Sequence, residues 1–255
     1  MGALLEVHDV ELSFGGLRAL DGPSLTVGEG EVVGLIGPNG AGKTSLFNCI
    51  GGLYRPQHGS IRFAGREIVG LPRHRIAALG IGRTFQNLGL LASRTVLDNV
   101  LAGAYHATRG GWWATALALP NVARTERATR ERALDLLAEL SLGDVAGVPV
   151  GTLPFGTLKR IELARALIAN PRLLLVDEPA NGLVHGEVME LGATLRRLAA
   201  ERGAAILLVE HHMGLVMSVS DRVAVLDFGR LIAEGDPRIV ARDPQVVAAY
   251  LGRAA

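Results

Sequence analysis

Residues 37–44 are Gly37, Pro38, Asn39, Gly40, Ala41, Gly42, Lys43 and Thr44, and they fill the pattern G-x-x-x-x-G-K-[ST] without a gap. The spacing follows from the chemistry of a polyphosphate. Several negative charges sit close together, and no single cation neutralises them all. Gly37, Gly40 and Gly42 let the backbone fold tightly enough for successive N–H groups to point inward as an anion nest. Lys43 can then reach the outer phosphates, and the Thr44 hydroxyl can hold Mg²⁺. A helix starting here aims its positive end at the same charges.

A second group of residues could act on what the first one holds. The apolar run ending in Asp177 and Glu178 closes a strand with two carboxylates. An Asp in this place suits the metal shell of an enzyme with a phosphate loop, and Glu178 could polarise a water aimed at the γ-phosphorus.

The elements around these residues agree with that reading. Glu31 to Ile36 is mostly apolar, as a buried parallel strand should be, and Leu46, Phe47 and Ile50 follow the loop at helical spacing. Strands are expected in the first thirty residues, which alternate around Leu5, Val7, Val10, Leu12, Leu25 and Val27, and again at Ser60 to Phe63. Between Leu88 and Ala169 the pattern turns helical. Val96, Leu97, Val100 and Leu101 share a face after a start at Ser93 or Thr95. Glu126 to Leu140 reads as an amphipathic helix with Ala133, Leu134, Leu137 and Leu140 inward, and residues 103–124 as a loop or irregular insertion. Thr157 to Ala169 is a further helix, stopped by Asn170 and Pro171. Strand and helix then alternate again: strand Leu173–Val176, helix Glu187–Ala200, strand Ala205–Val209, and a hairpin across Phe228–Arg230. The expected fold is α/β: a phosphate-loop core with an antiparallel β part, residues 1–87 and 170–255, interrupted by an all-helical lobe at 88–169.

Composition narrows the class. The chain has 255 residues, 49% of them hydrophobic, with a formal charge of +1. That charge offers no electrostatic case for nucleic acid as a partner. The longest apolar stretch, Trp112 to Ala123, is too short for a membrane span and contains Pro120. No basic segment followed by an apolar core opens the chain, so no secretory signal is expected. The single cysteine, Cys49, fits a reducing compartment and reads as core filler.

Taken in order, these residues resemble the ATP-binding subunits of ABC transporters. Gly82 to Asn87 looks like the Q-loop, Leu153 to Thr157 occupies the signature position, Asn181 to Val184 that of the D-loop, and Glu210-His211 that of the switch histidine. The resemblance implies ATP and Mg²⁺ as cofactors. It implies nucleotide contacts from Phe14, stacked on adenine, and from residues 37–44 with Ser45. Thr44, Gln86 and Asp177 would form the metal shell, and Glu178, His211 and Gln86 the catalytic group. Gly156 would reach the nucleotide of a second subunit in trans.

A narrower resemblance is to the ATPases of branched-chain amino-acid importers. It rests on Gly82 to Gln86, the insertion after Ala102, Ala180 to Leu183, Glu210 to Met213 and the tail Asp243 to Gly252. It implies a second, different ATP-binding subunit, two membrane permeases, a solute-binding protein, and a peripheral place on the cytoplasmic face of the membrane. Other readings are the ATPase of a lipid or lipopolysaccharide exporter, and a nucleotide-binding regulatory module that barely hydrolyses ATP. The signature departs from the usual Leu-Ser-Gly-Gly-Gln, since only Leu153 and Gly156 persist and Pro154 lacks both hydroxyl and N–H. Val184 replaces the usual acidic or amide residue, and His212 stands where Asp is common.

Overall fold

A computed structural model describes residues 2–84, 88–104 and 120–251. The chain divides into two compact units, residues 1–83 with 172–255, and residues 84–171.

The first unit carries two sheets. The antiparallel sheet is built on β1 (Leu5–Phe14), which pairs with β2 (Leu17–Asp21), β3 (Leu25–Val27) and β5 (His58–Phe63), while β6 (Arg66–Glu67) continues it. Its alternating residues put Leu5, Val7, Val10 and Leu12 into the core. The other sheet runs β11-β10-β4-β9-β8-β7: Arg230–Gly235, Arg222–Asp227, Val32–Ile36, Ala205–Val209, Leu173–Asp177 and Ile81–Arg83. Every residue of β4, β8 and β9 is buried, which explains their unbroken apolar runs. Helix α1 (Lys43–Ile50) contributes Leu46, Phe47 and Ile50, and α2 (Arg73–Ala78) contributes Ile76, to the same apolar cluster as both sheets. A second cluster joins Ile36 with Val216, Val223, Val225, Val240 and Val246. It seats α7 (Met213–Val219), α8 (Pro237–Val240) and α9 (Pro244–Leu251).

Parallel pairing fixes where the loops emerge. Leu35 aligns with Val209, and Val209 with Asp177. The segments after β4, β9 and β8 therefore leave the sheet at one edge, its carboxyl end, where ligands of open α/β sheets bind. The chemistry-bearing residues on these three segments, from Gly37 to His211, are gathered by this register.

The second unit is helical. Thr95 caps α3 (Val96–Gly103) in a reciprocal box with Asp98. Helix α4 (Pro120–Glu139) begins earlier than periodicity indicates, and it buries Ala133, Leu136, Leu137 and Leu140. Leu134, expected inward, is exposed instead. Ala133, Leu136, Leu137 and Leu140 fall at i, i+3, i+4 and i+7, so Leu136 takes that place on the inward stripe. Helix α5 (Phe155–Leu167) starts two residues before Thr157, and α6 (His185–Arg202) is longer at both ends than the expected Glu187–Ala200. Gln86 and the Trp112-Trp113 pair lie outside the described residues.

Candidate nucleotide site

The loop between β4 and α1 has no room for side chains at Gly37 and Gly42. Gly37 has φ 146°, and a Cβ there would lie 2.1 Å from the carbonyl oxygen of Leu226. Gly42 has φ 104°, and its Cβ would meet the Ala19 carbonyl at 2.6 Å. Both are backbone contacts that cannot rotate away, so the cradle depends on glycine. The Ala41 carbonyl accepts from Gly229 N–H at 2.9 Å, which ties the loop to the β10–β11 turn. Gly42 is also the N-cap of α1 and offers no side-chain oxygen to the amides that follow. Those amides therefore suit an external anion.

Lys43 is buried, with 7% exposure. Its ammonium donates to the carbonyls of Gly37 at 2.6 Å and Pro38 at 3.0 Å. The loop thus holds its own cation over the cradle. Pro38 and Ala41 are buried, Ser45 is half-buried, and Asn39, Gly40 and Thr44 face solvent. That exposure is what an incoming phosphate chain requires. Phe14, at the end of β1, is 45% exposed and meets Tyr54 edge-on, with ring centroids 5.1 Å apart. A ring this exposed leaves apolar surface on which a base could stack.

Asp177 ends β8 almost fully buried. Its Oδ2 accepts from Arg83 Nη2 at 3.3 Å. Arg83 ends β7, its guanidinium lying 5.6 Å from the centre of the Phe47 ring. This pair was not legible in the sequence, where Arg83 carries no pattern of its own. Glu178 is only partly buried and adopts φ 45°, a conformation rare for a residue with a side chain. Its N–H donates to the Val209 carbonyl at 2.9 Å.

The segment after β9 holds a residue that sequence reasoning gave no role. Glu210 has no exposed surface, and its carboxylate accepts from Ala180 N–H at 2.7 Å, His211 N–H at 2.9 Å and His212 N–H at 3.0 Å. His211 is exposed, with Nδ1 3.9 Å from Glu210 Oε2. His212 caps α7, accepting the Leu215 N–H on Nδ1 at 3.2 Å. An Asp would do the same work, which accounts for the substitution.

Among the described residues no three His, Cys, Asp or Glu side chains gather as a metal cage. A cation here would draw on Asp177, Thr44 and phosphate oxygens together. That donor set fits Mg²⁺, which keeps several waters and binds through few protein groups.

In the helical unit, Pro154 is the N-cap of α5 with φ −60°. Its ring fits that backbone, and Gly156 follows within the first turn. Phe155 is 45% exposed, with Lys159 Nζ 5.6 Å from its ring centre. Val184 precedes α6 and donates its N–H to Glu187 at 3.0 Å. Cys49 is buried, and burial pushes its thiol up to about 12.

Comparison with known proteins agrees with this geometry. Residues 20–181 match the family described as ABC transporter, and residues 230–255 match a second, described as branched-chain amino acid ATP-binding cassette transporter. The chain is 43% identical over 251 residues to the high-affinity branched-chain amino acid transport ATP-binding protein BraF of Pseudomonas aeruginosa, covering 98% of both chains. It is 38% identical, with the same coverage, to LivG of Escherichia coli, which carries the same description. Among solved structures, a nucleotide-free ATP-binding cassette from an ABC transporter superposes with a TM-score of 0.86 at 31% identity, over 98% of this chain and 99% of the other. The ADP conformation of the cassette MJ1267 gives 0.87 at 31% identity, over 99% and 100%. Matched by the family model over most of its length and 43% identical to BraF, this chain belongs to the ABC transporter family as one of its ATP-binding cassettes.

Proposed function

We propose that this chain is the ATP-hydrolysing subunit of an importer of branched-chain amino acids. It would pair with a second, different cassette, dock on two permeases at the cytoplasmic face of the membrane, and serve a solute-binding protein. The observation that supports this reading most is the 43% identity to BraF over 98% of the chain, with the separate match of residues 230–255 to the branched-chain amino acid model beside it.

The roles follow from charge and position. Lys43, the loop amides and the start of α1 hold the triphosphate and draw charge towards the bridging oxygen as it leaves. A bound magnesium ion would supply further charge neutralisation there, held by Thr44, Asp177 and Gln86. Glu178, partly accessible at the strand end, orients water and accepts its proton. His211 contacts the γ-phosphate and steadies Glu178. Phe14 stacks on the base. Gly156 and the first amides of α5 complete the site of the partner subunit, and Pro154 makes that second site the weaker of the two.

The test is co-purification. The Glu178→Gln form, tagged and extracted from membranes with MgATP, should bring two dissimilar permeases and a different cassette. Copies of itself with one kind of membrane partner would instead indicate an exporter, and no membrane partner a soluble regulatory module.

A further inference from the structure

We propose that Glu210 is a positioning residue for hydrolysis, holding the Glu178 turn and the His211 segment in one register. The inference rests on the reading of Glu178 as the group that orients water.

Glu210 stands one residue past β9, beside the turn that leaves β8, because Asp177 and Val209 are register partners. One carboxylate oxygen, Oε1, takes the Ala180 N–H, two residues beyond Glu178. The other, Oε2, takes the amides of His211 and His212. A single buried anion is thus shared between the two segments that carry the candidate catalytic side chains. The bond to Ala180 has a specific use. Glu178 sits at φ 45°, and such backbone persists only where the surroundings fix it. Its own N–H bond to Val209 fixes one side of the turn, and the Asn181 N–H to Glu178 carbonyl bond of 3.2 Å closes it. Glu210 anchors its far side. Buried amides could have been satisfied by other means, but only an acceptor with two ends serves both segments at once.

A carboxamide cannot replace this arrangement. Gln at 210 has nearly the same volume, yet one end of its head is a donor and would face N–H groups on at least one side. The experiment compares wild type, Glu210→Gln, Glu210→Asp and Glu178→Gln in the assembled transporter. ATP turnover and the affinity for a fluorescent ATP analogue with Mg²⁺ are both measured. Glu210→Gln should keep the analogue's affinity within about two-fold while turnover falls about ten-fold or more, the pattern of a group needed after binding. Glu210→Asp keeps the charge on a side chain one methylene shorter, and turnover should fall about three-fold.

Unchanged turnover per nucleotide-binding site in Glu210→Gln would overturn the proposal. If that variant does not fold, unchanged turnover in Glu210→Asp overturns it equally. The Glu178→Gln control separates the two failures. If it retains full turnover, the reading of Glu178 is wrong and the inference falls with it. If it loses turnover while the Glu210 variants keep theirs, only the inference falls.

Discussion

Removing the guanidinium of Arg83 should destabilise the first unit by leaving a buried carboxylate without its cation. The Asp177 side chain is 2% exposed and that of Arg83 18%, so solvent cannot take over the neutralising role. Breaking a buried pair from one side costs about 3–5 kcal/mol in general. Two features place this case lower. The contact is 3.3 Å, long for a charge-assisted bond, and Asp177 keeps further interactions. About 2 kcal/mol is the expected loss from the charge, with about 0.5 kcal/mol more from the stacking of Arg83 over Phe47. At about 2–4 °C per kcal/mol for a protein of this size, Arg83→Met should melt about 5–10 °C below wild type. The double variant Arg83→Met/Asp177→Asn removes both charges and should recover part of that loss. Scanning calorimetry without nucleotide on the two single variants and the double one completes the cycle. A shift below about 1 °C in Arg83→Met, or losses that simply add in the double variant, would refute the pairing as a source of stability.

Further outcomes follow from the same geometry. His212→Ala removes the cap of α7 and should cost about 1 kcal/mol in equilibrium unfolding, while His212→Asp should restore it. Because burial raises the Cys49 thiol to about 12, iodoacetamide at pH 8 should leave the folded protein unmodified and label it only after denaturation. The folded thiol stays protonated above the ordinary range. This contribution to stability is therefore intact below about pH 8.5 and is lost as pH rises from there towards 12. With no three-ligand metal cage among the described residues, Mg²⁺ alone should not raise the melting temperature, whereas Mg²⁺ with ATP should raise it by several degrees.

The glycine loop was legible because the phosphate-loop pattern fixes its spacing. Gly37, Gly42 and Lys43 must sit in that order for the amides and the ammonium to converge. Strands β4, β8 and β9 were legible because burial on both faces makes them continuously apolar. What remained hidden was tertiary. Arg83 meets Asp177 across 94 positions, and Glu210 meets Ala180 across 30, and neither pair leaves a periodic trace. Leu134 was misplaced for a different reason. In α4 closely spaced leucines at 134, 136 and 137 make the edge of the stripe ambiguous, and packing within the helical unit decides it. That Pro154 fits the backbone at the start of α5 was not legible either, since its φ of −60° becomes the N-cap's only once the helix start is known.

The most direct test of ATP hydrolysis at this sheet edge is the turnover of the assembled transporter carrying Glu178→Gln. If Glu178 accepts the proton of the attacking water, that form should bind MgATP as tightly as wild type and lose nearly all hydrolysis. Full turnover in Glu178→Gln with binding intact would contradict the assignment of the catalytic base and favour a cassette that uses ATP only to close.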